Sequence, residues 1–151
     1  MPNIKDFSEC WGISIIYCPY CHGYEVKNEK VGILGNGDFG FEFSKLILNW
    51  NKDLTLFTNG PSALTDEQKA KFKNYKIKLI ETEIECYEHI EGNIQNIIFK
   101  DGTSTPIKAL YAHLTFEQNC TIPEDLGCEL TEHGFIKTDH FQKTTVHGVA
   151  A

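Results

Sequence analysis

The stretch Lys30–Trp50, KVGILGNGDFGFEFSKLILNW, limits what this chain can fold into more than any other part of it. Val31, Ile33 and Leu34 form a short apolar run, the pattern of a strand buried in a parallel sheet. Gly35, Gly37 and Gly40 follow at the spacing G-x-G-x-x-G. Past them, Phe39, Phe43, Leu46, Ile47 and Trp50 recur at intervals that lay one stripe along a helix, with Asp38, Glu42, Lys45 and Asn49 on the other side. Strand, glycine loop and helix in unbroken succession open a βαβ unit. Gly35 allows the tight turn, Gly37 lets the backbone approach a pyrophosphate, and Gly40 lets the helix lie close on the strand. Gly35, Asn36, Gly37, Asp38, Phe39 and Gly40 are therefore the candidate dinucleotide cradle, where a helix N-terminus offers free N–H groups to phosphates. The plain alternative is a strand-to-helix turn that binds nothing.

The next strand, DLTLFTNG (53–60), is where such a fold chooses between NAD and NADP. An acid at its end usually takes the ribose hydroxyls, and an arginine the 2′-phosphate. Here Thr58, Asn59 and Gly60 offer neither, so Thr58 and Asn59 are expected to make neutral hydrogen bonds to the cofactor and the preference stays open. Thr65 with Gln68 reads as a capping box opening a polar helix that runs to about Tyr75. From Ile77 to Ile107 the period drops towards two, with turn signals at residues 91–93 and 101–102, which predicts a three-stranded antiparallel meander. Ala109–Leu114 reads as a buried strand returning to the parallel sheet, 117–133 as loop, and 134–139 as one more short strand. Residues 1–14 read as an irregular linker arm, and 15–151 as the nucleotide-binding domain. The fold class is α/β: a Rossmann-like three-layer domain whose parallel sheet carries an inserted β-meander.

Composition removes other classes. With 151 residues the chain can bury a sizeable core, and a net charge of -7 with 14 basic residues argues against nucleic-acid binding. No apolar run approaches the roughly 18 residues a membrane span needs, and the N-terminus has no signal-peptide core, so a cytoplasmic location is expected.

Six cysteines, at positions 10, 18, 21, 86, 120 and 128, raise the question of their use. A disulfide scaffold fits poorly with cysteines spread over a chain that has a core of its own. A zinc site would want a second close pair, which the 120 and 128 spacing does not supply, so no metal is expected. Cys10, Cys86, Cys120 and Cys128 read as small buried hydrophobes. Cys18 and Cys21 differ, standing two residues apart in IIYCPYCHGYE with His22 next. CPYC is also a glutaredoxin tetrapeptide, but only nine residues separate Cys21 from the dinucleotide strand, leaving no room for the thioredoxin fold's long helix.

A close cysteine pair just ahead of a G-x-G-x-x-G unit resembles the pyridine-nucleotide domain of low-molecular-weight thioredoxin reductases. YCPYCHGYE, KVGILGNGDFG, the meander and GFIKTDHFQKTTVHGVAA carry the resemblance along nearly the whole chain. It implies electron flow from NADPH through FAD to a Cys18–Cys21 disulfide, and on to a thioredoxin-like protein or a small disulfide. Cys21 should then face the flavin and Cys18 exchange with substrate. His22 stands where the family typically carries an Asp acid/base, and its neutral form suits proton shuttling; a surface histidine is the plain alternative.

The resemblance also implies an excised half of a longer flavoprotein, homodimeric as a whole, with the FAD domain missing, no FAD bound here and no turnover alone. His22-Gly23-Tyr24-Glu25 is similar to a thioredoxin-reductase-like branch that includes small-molecule dithiol oxidases. The basic pair that reads the 2′-phosphate is replaced at Asn59 and Gly60, and the family's signature after the last parallel strand is absent from AHLTFEQNC (112–120). The rival from another class is a stand-alone nucleotide-binding or redox-sensing module without flavin.

Overall fold

The structure is a computed structural model that describes residues 1–114 and 120–151. The chain forms two compact units, Met1–Leu114 and Thr115–Ala151. In the first, five parallel strands lie in the order β1 (Ile15–Ile16), β8 (Ala109–Ala112), β2 (Val31–Leu34), β3 (Leu54–Phe57) and β4 (Lys78–Ile80). Val31 stands beside Leu54 on one side and Ala109 on the other, so β2 is flanked on both edges. The chain leaves β2 through α3 (Gly37–Ile47) towards β3, while β8 lies on the opposite side. The carboxyl end of β2 is thus a topological switch point, where open α/β sheets bind ligands.

Alternation along the strands divides the core in two. Ile16, Val31, Ile33, Leu54, Leu56 and Tyr111 face α3 and α4 (Asp66–Tyr75), packing with Phe41, Ile47 and Phe72. Ile15, Phe57, Leu110 and Ala112 face the other way, against Phe7 and Cys10 of α1 (Phe7–Cys10) and Tyr87, Ile97 and Phe99 of the antiparallel sheet. That sheet is β5 (Ile84–Ile90), β6 (Asn93–Phe99) and β7 (Ser104–Pro106), the expected meander. The buried Ser14 hydroxyl fastens its first turn, donating to the Gly92 carbonyl (2.6 Å) and accepting from the Ile94 N–H (3.0 Å).

Three differences from the sequence reading have physical causes. The meander starts at Ile84 rather than Ile77, because Lys78–Ile80 pairs parallel with β3 at the sheet edge. Residues 7–10 of the expected irregular arm form α1, whose Phe7 and Cys10 are buried. The face of α3 against the sheet is Gly40, Phe41, Ser44 and Ile47, while Phe39 is 41% exposed and stacks on Phe43. A count of large apolar residues misses a face whose close approach depends on small ones. Ser44 is admitted because its hydroxyl donates to the Gly40 carbonyl (2.6 Å).

The predicted capping box of α4 is present, Thr65 accepting from Gln68 N–H (3.2 Å) and Gln68 Oε1 from Thr65 N–H (2.9 Å). Such a cap stabilises a helix by about 1 kcal/mol. The expected loop over 117–133 begins outside the described residues, and its described part holds α5 (Ile122–Asp125). In the second unit the expected strand over 134–139 is reduced to isolated bridges, Leu130 with Ile136 and Thr138 with Thr144.

Candidate functional site

The glycine loop joins β2 to α3 at the switch point. A Cβ at Gly40 would lie 3.2 Å from the Gly35 carbonyl carbon and 3.3 Å from both Leu56 methyls, so the helix start rests directly on the loop and on β3. Gly37 has a φ of 56°, a left-handed conformation that a side chain would strain. Asn36 caps α3 and does more than cap it. Its Oδ1 accepts from the N–H groups of Gly37 (2.8 Å) and Ala63 (2.7 Å), and its Nδ2 donates to the Pro61 carbonyl (3.0 Å). The loop after β3 is thereby laced to the glycine loop, forming one concave rim. Asp38 is held at the same rim by Gln68 Nε2 (2.7 Å), a tie between the starts of α3 and α4.

The end of β3 is tied into the fold. Thr58 is buried, and its hydroxyl donates to the Gly60 carbonyl (2.6 Å). Asn59 sits at φ 50°, and its Oδ1 accepts from the Ile84 N–H (2.7 Å), tying the loop to the start of the meander. Both side chains serve the fold first. A carboxylate is tied into this loop as well: Glu81 Oε1 accepts from the Ser62 N–H (2.8 Å).

The cysteine pair opens from β1, at the same carboxyl end of the sheet. Cys18 precedes the one-turn helix α2 (Pro19–His22) and carries Cys21 and His22 along it. The segment is located by packing at its apolar positions. Pro19 is buried, Tyr20 meets Trp50 edge-on at 5.6 Å, and a Cβ at Gly23 would strike the Pro19 carbonyl oxygen at 2.3 Å. Both sulfurs are free thiols, Cys18 half-buried and Cys21 exposed. Cys21 S–H, then the backbone N–H groups beside it, hydrogen-bond the Cys18 sulfur and hold its pKa below the ordinary thiol value. Giving that hydrogen bond, and facing the Cys18 charge, Cys21 is raised. His22 Nδ1 lies 3.3 Å from Glu25 Oε2 at the surface. Of the cysteines read as buried, Cys10 and Cys128 are; Cys86, at a register break in β5, is half-buried and Cys120 exposed.

Sequence reasoning missed the group that joins the two halves of the site. His113, just past β8, lies 5.0 Å from the Phe39 ring and 5.1 Å from Tyr17, whose hydroxyl meets His113 Nε2 at 3.1 Å. This aromatic bridge runs from the residue before Cys18 to the glycine loop. The signal for it was AHLTFEQNC (112–120), visible as a departure but with no means of placing its histidine.

A parallel sheet with a G-x-G-x-x-G cradle at its switch point, and a close thiol pair at the same edge, defines a class of redox domain. All 151 residues match the family described as pyridine nucleotide-disulphide oxidoreductase, and the chain belongs to it. It is 28% identical to a thioredoxin reductase of Claviceps purpurea and 29% identical to one of Helicobacter pylori, covering 100% and 99% of this chain. The chain spans about half the length of these curated relatives, 50% and 52%. Among solved structures it superposes on a Bacillus anthracis protein assigned as the thioredoxin reductase TrxB with a TM-score of 0.88, at 29% identity over 99% of this chain and 50% of that one. The crystal structure of HlmI gives a TM-score of 0.87, at 27% identity over 99% of this chain and 47% of that one. Fold and oxidoreductase class follow from these matches.

Proposed function

We propose that this chain is the nicotinamide-nucleotide-binding and disulfide-carrying part of a thioredoxin-reductase-like flavoprotein of the cytoplasm. The observation that carries the reading is that the cradle and the Cys18–Cys21 pair share the carboxyl end of one sheet, bridged by Phe39, His113 and Tyr17. The cradle fits a pyrophosphate: Gly37 takes its left-handed turn, Gly40 lets α3 start close by, and the first-turn amides of Asp38 and Phe39 have no intrahelical carbonyl to bond. NADPH, or NADH, would be held by the Gly35–Gly40 loop and would supply two electrons as a hydride, and an FAD held on a further domain of the parent, a homodimer, would relay them.

In this chain the Cys18–Cys21 disulfide takes up those two electrons and two protons and becomes the dithiol. Cys18, favoured as the thiolate, then attacks a disulfide of a thioredoxin-like protein or small molecule, and one thiolate of that substrate leaves. Cys21 loses its proton and attacks the Cys18 sulfur, which restores the internal disulfide and releases the second thiolate. Cys21, raised in pKa, needs a base for that step, and the half-buried His22, next in sequence, serves as that base.

Calorimetric titration of NADPH and NADH into the chain tests the cradle. Both should bind, with no large preference, because no arginine or lysine stands in the loop after β3. Ala63 is the exposed position for adding one, since an arginine at Asn59 would lose the bond to Ile84 and strain a left-handed residue. Ala63→Arg should favour NADPH by roughly tenfold through one charge-assisted contact. Binding of neither nucleotide by either protein would defeat this reading of the cradle.

A further inference from the structure

Residues 58–65, TNGPSALT, carry no charged side chain, so the loop after β3 has none of its own to meet an adenosine ribose. The neighbouring strand lends one. The backbone past β3 is zipped to the end of β4, Thr58 N–H donating to the Ile80 carbonyl (3.1 Å) and Gly60 N–H to the Glu81 carbonyl (3.0 Å). Further along the loop, Glu81 Oε1 accepts from the Ser62 N–H (2.8 Å), and Oε2 has no partner among the described residues. Ser62 stands between Pro61, whose carbonyl accepts from Asn36 Nδ2, and Ala63, whose N–H donates to Asn36 Oδ1. The carboxylate is therefore anchored on the one residue enclosed by the contacts that join this loop to the glycine loop. Among the described residues Glu81 forms no ion pair, and the lysines of the adjoining strands are taken. Lys78 of β4 is bound by Asp53 (2.9 Å), and Lys100, which follows β6, by Glu83.

In dinucleotide folds a carboxylate at this end of the sheet takes the ribose hydroxyls, and a cation takes the 2′-phosphate. We propose that Glu81 is the residue that sets the nucleotide preference, its free Oε2 accepting from the ribose hydroxyls of NADH and its charge repelling the 2′-phosphate of NADPH. The proposal rests on the reading of the glycine loop as a dinucleotide cradle, and it gives a sign to the small preference that a loop without cations permits. The effect is modest because the carboxylate is exposed, and one charge–charge contact in water shifts affinity roughly three- to fivefold. Fastening the loop does not by itself require the charge, since a glutamine oxygen would accept from Ser62 as well.

Calorimetric titration of NADH and NADPH into the chain and into Glu81→Gln uses that difference. Glutamine removes only the charge, so the thermal midpoint should hold while the affinity ratio moves. The parent should bind NADH roughly three- to fivefold more tightly than NADPH at low salt, and Glu81→Gln should bring the two within about twofold. Glu88→Gln removes the same charge from β5, where Glu88 accepts from Asn96 Nδ2, and should leave the ratio as it was. Salt gives a second reading without mutation. In roughly 1 M salt the screening length falls to about 3 Å, so NADPH should gain on NADH in the parent.

A parent that binds NADPH ahead of NADH, or a ratio that Glu81→Gln leaves unmoved, would overturn the assignment of Glu81 and leave the cradle standing. An equal change from Glu88→Gln would do the same, tracing the effect to net charge alone. Binding of neither nucleotide would remove the cradle, and the role of Glu81 with it.

Discussion

The glycine cradle and the cysteine segment sit at one edge of one sheet and are built on opposite plans. The cradle is made of backbone held in place by missing side chains and by amide ties. Gly40 removes a Cβ that would crowd Gly35 and Leu56, and Asn36 laces two loops with two hydrogen bonds while capping α3 with a third. The cysteine segment is one turn of helix held at Pro19, Tyr20 and Gly23, with its sulfurs and imidazole left towards solvent. Under the proposed function, a surface for a charged pyrophosphate must not move, so its residues are consumed in fixing it. A thiol pair that exchanges with partners must be reachable, so its chemistry is kept separate from its anchoring.

The largest test of that contrast is Gly40→Val. Valine's branches would extend from a Cβ already 3.2 Å from backbone, and β3 and the glycine loop cannot both retreat. Overpacking of this kind costs about 1–3 kcal/mol, and nucleotide binding should be lost with it, read by urea unfolding and titration. A variant of parental stability would show that the loop gives way, and that the cradle is no more rigid than the cysteine segment.

The same contrast explains what the sequence disclosed. Gly35, Gly37 and Gly40 were legible because steric demand at a strand–loop–helix junction is local and only glycine meets it. The period-two run and the Thr65–Gln68 box were legible for similar reasons. The hydrogen bonds that Thr58 and Asn59 make within the chain were not foreseen: Thr58 donates to Gly60 two residues on, and Asn59 accepts from Ile84, a partner 25 residues away that only tertiary structure sets. The α3 face was read in part: Ile47 and Phe43 pack on the core as expected, but Gly40, Phe41 and Ser44 were missed because size stood in for proximity. His113 lay in the run read as a buried strand, with nothing to mark its contacts; only the β1–β8–β2 strand order brings it beside Tyr17 and Phe39.

Unequal thiol acidity sharpens the comparison on the cysteine side. Cys18 is lowered by hydrogen bonds from Cys21 and the backbone, while Cys21 is raised by giving one. In the reduced chain at neutral pH, iodoacetamide should therefore label Cys18 ahead of the more exposed Cys21. Rising pH ionises Cys21 as well, so the preference should shrink and then follow exposure. Faster labelling of Cys21 throughout would mean that access outweighs acidity, and that Cys18 is not the attacking sulfur.

The smallest expected effect is on stability. Cys18→Ser or Cys21→Ser should leave the thermal midpoint within about 2 °C of the parent, the range for surface changes away from packed features. Serine keeps a donor and an acceptor at each position, so the contact between the two side chains can persist. The anchors of α2 run through the buried Pro19 ring, the Tyr20–Trp50 contact and the backbone approach of Gly23, and none of them passes through sulfur. Disulfide exchange should vanish in both variants while the fold stays. A drop beyond about 4 °C, worth roughly 1 kcal/mol in a domain of this size, would make the sulfurs part of the packing. The separation of anchoring from chemistry in this segment would then fail, and the two halves of the site would share one plan.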